Sequence, residues 1–114
     1  MLDILFLFKP GFIDGNARWF CPYSAQVVGF LTYFHEVRST LDVREIDFPK
    51  PRKEIVEMIG EEFQSLPLLI LAKRSPIPKE FENDVVTARG HRIITDTKVI
   101  LRYLATTRNL PLPH

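Results

Sequence analysis

One thiol is present, Cys21, in the run Arg18-Trp19-Phe20-Cys21-Pro22-Tyr23-Ser24. Pro22 suits the first position of a helix, and Val27, Val28, Leu31 and Phe34 recur behind it at helical spacing. Cys21 therefore stands one residue before the helix. There its sulfur faces unpaired backbone N–H groups and the positive end of the helix macrodipole, both of which favour the thiolate. Helix N-termini with cations nearby bring a cysteine from about 8.5 into the range of roughly 3.5 to 7.5, and Arg18 is the nearest candidate cation. Ser24 occupies the place of the second cysteine in a dithiol enzyme. Its hydroxyl can donate a hydrogen bond to the thiolate but cannot resolve a mixed disulfide, so resolution needs another thiol. A lone cysteine is most often a small buried hydrophobe; it is the position at a helix start that argues for reactivity.

Two other pieces belong with the thiol. Gln64-Ser65-Leu66-Pro67 precedes an apolar run, and a proline opening a strand with a cis bond would leave the backbone groups of Leu66 free to pair with an extended peptide ligand. Thr95-Asp96-Thr97 opens the last helical pattern. Capping alone selects such residues, yet a helix start also offers N–H groups to a carboxylate, and Asp96 offers a partner to an ammonium group. Side by side, those two features suit the α-amino acid end of a γ-glutamyl group. His35, His91 and His114 share no metal-like spacing with one another or with Cys21, so no metal site is expected.

These groups need a scaffold, and 114 residues allow one domain spanning residues 1–114. Hydrophobic residues at 46% and charged residues at 25% give the balance of a soluble globular chain. The net charge is +1, and the basic residues are scattered, which argues against nucleic acid as a partner. No apolar stretch suits a membrane span. Leu2 to Phe8 lacks the basic leader and cleavage site of a signal peptide and reads as a strand. A single cysteine permits no internal disulfide, so a reducing, cytoplasmic setting is the expectation.

Hydrophobic periodicity supplies the elements. Leu2 to Phe8 is a central strand buried on both faces. A turn-rich segment follows, then a helix over Pro22 to Val37. Leu41 to Phe48 reads as an edge strand, with a phase slip between Val43 and Ile46 that suggests a bulge. Ile55, Val56 and Ile59 mark a short helix that Gly60 can end. Leu68 to Ala72 and Ile93 to Ile94 read as strands joined by a long excursion from Lys73 to Arg92, most simply a solvated loop. Thr95 to Thr107 closes the series as a third helix. The order, strand, helix, strand, helix, strand, strand, helix (βαβαββα), implies a parallel crossover followed by an antiparallel pair. It predicts an α/β domain of the thioredoxin-like fold, with a four-stranded mixed sheet and three helices.

Cys21-Pro22-Tyr23-Ser24 resembles the active-site motif of monothiol glutaredoxins, and Phe20-Cys21-Pro22 is similar to that of omega-type glutathione transferases. Ser65-Leu66-Pro67 is similar to the cis-proline segment of these families. Ile94 through Leu104 resembles the acid-plus-hydroxyl helix start of glutathione transferase N-terminal domains. The motifs together also resemble a small bacterial family of thioredoxin-like proteins whose function is not established. The resemblance implies that Cys21 is the nucleophile, with Arg18 and Ser24 tuning it. It implies that Tyr23, Leu66 and Pro67 contact glutathione, the latter two along its cysteinyl part, and that Asp96 and Thr97 hold its γ-glutamyl part. Two segments depart from the glutaredoxin pattern, residues 9–20 before the thiol and the excursion 73–92. No second helical domain is present to form a transferase's co-substrate pocket. An iron–sulfur cluster is a minor reading, since Pro22 and Tyr23 replace the small residues of cluster-binding motifs. The expected function is glutathione-linked monothiol thiol–disulfide exchange. The alternative is a non-catalytic thioredoxin-fold module that binds a partner or small ligand with Cys21 inert. The sequence leaves the oligomeric state open.

Overall fold

The apolar run at the start becomes strand β1 (Asp3–Phe8), whose residues from Asp3 to Leu7 are all buried. A strand in that state must be covered on both faces and flanked on both edges, and the computed structural model, which describes residues 1–114, places it so. Along the chain follow β2 (Phe12–Asp14), β3 (Ala17–Trp19), α1 (Pro22–Tyr33), β4 (Leu41–Ile46), α2 (Lys53–Ile59), β5 (Leu68–Leu71), β6 (Val86–Ala88), β7 (His91–Ile94) and α3 (Thr97–Thr107). The main sheet has five strands in the order β4-β1-β5-β7-β6, while β2 and β3 form a separate hairpin. β4 runs parallel to β1; every other neighbouring pair in the main sheet is antiparallel.

Alternation along the strands sorts the core into two layers. Leu5 and Leu7 of β1 face one side with Leu69 and Leu71 of β5, and there they meet Val27 and Leu31 of α1 and Ile100, Tyr103 and Leu104 of α3. Ile4 and Phe6 face the other side with Leu68 and Ile70 and meet Ile55 and Ile59 of α2. Two helices thus cover one face and a short one covers the other. No helix is long and apolar enough to cross a membrane.

The sheet has five strands where the sequence predicts four. The extra one, β6, lies inside the excursion after residue 72 and pairs with β7 from Val86↔Ile93 to Ala88↔His91. Arg89 and Gly90 between them have φ of 47° and 80°. A two-residue turn with positive φ at both positions matches the twist of antiparallel strands, so a short strand folds straight back. Nor is the excursion a solvated loop throughout: Phe81, in a 3₁₀ turn over Lys79–Phe81, is buried against Tyr103.

Three further expectations are corrected. β4 is the edge strand, but it carries no bulge: its register with β1 is unbroken from Asp3↔Leu41 to Phe8↔Ile46. The phase slip arises because β4 serves both layers, with Leu41 and Val43 turned to one and Ile46 to the other. The first helix ends at Tyr33, not Val37, and gives way to a 3₁₀ segment over His35–Thr40. Continued as an α-helix, Val37 would lie roughly 240° around the axis from Leu31; the change of winding brings it into the core at 3% exposure. The turn-rich segment 9–20 contains the β2–β3 hairpin, from Phe12↔Trp19 to Asp14↔Ala17, closed by the Trp19 Nε1–H donating to the Asp14 carbonyl at 3.0 Å.

The short helix ends as expected. Gly60 caps α2 with φ 87°, and its N–H donates to the Val56 carbonyl. A Cβ there would be strained by the positive φ and would also crowd the Arg89 side chain, with Nε at 3.0 Å.

Candidate functional site

One end of the sheet gathers the groups singled out in the sequence. β1 ends there at Phe8, β5 begins there after Leu66-Pro67, and β7 ends there before Thr95. Both α1 and α3 start at this end, as the crossovers require.

Cys21 is the N-cap of α1, half-buried, with extended backbone, and Pro22 fills the first helical position. Its Sγ accepts a hydrogen bond from the Ser24 backbone N–H at 3.4 Å. The Ser24 hydroxyl is engaged elsewhere. Ser24 is only 4% exposed, and its Oγ accepts the Phe8 N–H at 3.2 Å. The contact expected from the Ser24 side chain to the sulfur is thus made by its main chain.

Two recesses flank the first turn of α1. The smaller, of 260 Å³, contains Cys21 and Ser24, walled by Phe8, Pro10, Phe20 and Val28, with Glu45 as its one charged group. Pro10 and Phe20 come from the 9–20 segment, so that segment forms part of the wall around the thiol. The larger, a cleft of 460 Å³, is lined by Tyr23 and Gln26 of α1, by Leu66, and by Thr95, Asp96, Thr97 and Lys98 at the start of α3. Leu66, Tyr23, Asp96 and Thr97, separated by up to tens of residues in sequence, therefore share one surface.

Asp96 caps α3, its Oδ1 accepting the Val99 N–H at 3.1 Å and leaving Oδ2 without a protein partner. Thr97 is the first helical residue. Leu66 and Pro67 are both buried, and the bond between them is cis, as is that between Lys50 and Pro51. Arg18 lines neither recess. It lies exposed on β3 opposite Ile13, with its guanidinium over Gly11. The excursion 73–92 leaves β5 at the far end of the sheet and contributes to neither recess.

Sequence reasoning missed Arg52, which organises the support beneath this end. It is only 7% exposed and has no carboxylate partner. Its Nε and Nη2 donate to the Phe48 carbonyl at 2.9 and 2.6 Å, and Nη1 donates to the Gln64 carbonyl. The Gln64 side chain returns the contact, its Oε1 accepting the Arg52 N–H at 2.9 Å. The guanidinium also lies 4.7 Å from the Phe8 ring centroid and 5.1 Å from that of Phe48. Burial pushes its pKa below the ordinary guanidinium value, but arginine stays charged in proteins. Carbonyl dipoles and ring faces thus stabilise the charge, and Arg52 fixes the chain just before Leu66. The only signal in sequence was an arginine between proline-rich and apolar segments, which is too common to single out.

No three His, Cys, Asp or Glu side chains converge in a way that could hold a metal ion. Chemically, the arrangement offers a free thiol at a helix start, an apolar wall beside it, and a polar cleft one helical turn away with two helix starts and a free carboxylate oxygen. No curated protein and no solved structure matches the chain. A family model does, over residues 2–112, and because it spans nearly the whole sequence the chain belongs to the family described as protein of unknown function (DUF3088).

Proposed function

We propose that this protein is a glutathione-linked monothiol oxidoreductase on a thioredoxin-like scaffold, with Cys21 as its nucleophile. The observation that carries the reading is the convergence of Tyr23, Leu66, Asp96 and Thr97 on one cleft beside the helix turn that begins at Cys21. Setting aside β2, β3 and β6, the element order is the βαβαββα of the thioredoxin-like and glutaredoxin families. In this reading the Cys21 thiolate attacks the glutathionyl sulfur of a mixed disulfide. A Cys21–glutathione disulfide forms, and the substrate thiolate leaves and takes a proton from water. The thiolate of a second glutathione then attacks the bound glutathionyl sulfur, releasing oxidised glutathione and regenerating the Cys21 thiolate. Asp96 and Thr97 hold the γ-glutamyl end and Leu66 pairs with the cysteinyl backbone, while the Ser24 N–H orients the sulfur.

A second reading, a non-catalytic binding module with Cys21 inert, draws on one observation: Glu45 lines the thiol's recess and no cationic side chain does. Alkylation of Cys21 by iodoacetamide at neutral pH, with and without millimolar reduced glutathione, separates the two, followed by a glutathione mixed-disulfide reductase assay. The oxidoreductase reading expects rapid alkylation, protection by glutathione and turnover that Cys21→Ser abolishes. Slow alkylation without protection, or turnover retained in Cys21→Ser, overturns it.

A further inference from the structure

At the opposite end of the sheet, a second cavity lies between the end of β5, the segment that follows it and the β6–β7 turn. It measures 380 Å³, and its basic side chains are Lys73, Arg89, His91 and Arg92, with no carboxylate. None of those four side chains reaches an acidic partner. In a chain whose 15 basic and 14 acidic residues nearly balance, this is a local imbalance. Like charges held in one concavity repel, and low-dielectric walls strengthen their combined field.

The cluster is also built. Arg92 donates from Nη1 to the Ser75 carbonyl at 3.0 Å and from Nη2 to the carbonyls of Lys73, at 3.0 Å, and Ala72. That fixes its plane and leaves Nε–H and one Nη1–H unclaimed, out of five donors. Arg89 stands at a positive-φ position of the turn, with its guanidinium against Gly60. Asp3, which bonds to the same Ala72–Ser75 segment, is already committed: its Oδ2 pairs with Arg108 at 3.2 Å, and its Oδ1 accepts the Ala72 N–H and the Ser75 hydroxyl.

We propose that this cavity binds a small-molecule di- or triphosphate, with Arg92 and Arg89 presenting planar donors to phosphate oxygens, Lys73 adding charge and His91 a further ring nitrogen. Guanidinium forks match phosphate geometry, and 380 Å³ lies within the range of roughly 300 to 1,000 Å³ usual for small-molecule sites. The site is remote from Cys21 and does not depend on the redox reading.

Titration calorimetry of the full chain with tripolyphosphate at low ionic strength tests it. Saturable binding is expected, weakened by added salt, and weakened at least about tenfold in a Lys73→Glu, Arg89→Glu double variant. Cys21→Ser and Lys9→Glu should bind as the parent does. The single variant Lys73→Ala serves where circular dichroism shows the double variant misfolded, and it should also weaken binding. Absence of binding at millimolar tripolyphosphate overturns the proposal. So does unchanged affinity in the folded Lys73 and Arg89 variants, an equal loss in Lys9→Glu, or equally tight binding of citrate.

Discussion

The Phe8 backbone N–H donates to the Ser24 hydroxyl oxygen at 3.2 Å, which fastens the last residue of the central strand to the first turn of the helix that carries Cys21. Ser24 is 4% exposed, so the bond is largely shielded from solvent. The position therefore serves the scaffold as well as the thiol.

Ser24→Ala leaves the Phe8 N–H without its partner. The expected cost is about 1–3 kcal/mol, the range for a buried donor left unsatisfied. Urea denaturation followed by circular dichroism measures it; a change inside the error of the midpoint would show the bond to be dispensable.

Asp96 carries two duties that substitutions can separate. Asp96→Asn keeps an oxygen to cap α3 through the Val99 N–H, so stability should hold, whereas Asp96→Ala should cost about 1 kcal/mol. Both variants should lose the protection of Cys21 by glutathione, because the negative charge facing the glutamyl ammonium is gone. Protection that persists in Asp96→Asn would remove Asp96 from the ligand site.

Arg52→Lys preserves charge but not the fork. The ammonium cannot reach both the Phe48 and Gln64 carbonyls while lying over the Phe8 and Phe48 rings. A loss of about 2–3 kcal/mol is expected, consistent with the loss of charged hydrogen bonds. Since Arg52 fixes the chain before Leu66, the glutathione concentration that half-protects Cys21 should also rise. Wild-type values for both would show the guanidinium to be replaceable.

Tyr103 gives the alkaline limb of stability. Burial, then the nearby Asp3 carboxylate, raises its pKa above the ordinary tyrosine value, and its hydroxyl donates to the Pro76 carbonyl at 2.8 Å. The unfolded chain therefore releases this proton at a lower pH than the folded one. The associated stability is complete below about pH 10 and is lost as pH rises through the higher folded value. Denaturation midpoints from about pH 8 to pH 11 should fall for the parent, and fall less steeply for Tyr103→Phe, whose stability at pH 8 is already lower. Parallel slopes in the two proteins would assign the alkaline loss to other groups.

Elements with a strong local cause were legible before the fold was known. β1 and β5 show as unbroken apolar runs, Pro22 and Gly60 punctuate α1 and α2, and Asp96 marks the start of α3. What escaped depends on contacts that periodicity does not encode. β6 and the β2–β3 hairpin are three-residue strands with mostly exposed side chains, so no apolar alternation announces them. β4 mixes its phases because an edge strand between two layers shows apolar residues to both. The candidate site follows the same division. Leu66, Asp96 and Thr97 were nameable from helix and strand starts and Tyr23 from the motif's resemblance, and the topology unites them. Arg18 was placed by sequence proximity and by the motif's resemblance, and a hairpin carries it away from the thiol's recess, while Glu45 arrives there from a strand that sequence spacing could not bring near.

Trp19, the sole tryptophan, lies on the hairpin two residues before Cys21 and is 53% exposed in the folded protein. An indole already wetted in the native state changes environment little when the chain unfolds, so its emission maximum is a poor gauge of global denaturation. The indole sits on the hairpin whose neighbouring residue Phe20 walls the thiol's recess, outside both core layers. The protein's tryptophan emission is thus largely uncoupled from the melting of the sheet behind it.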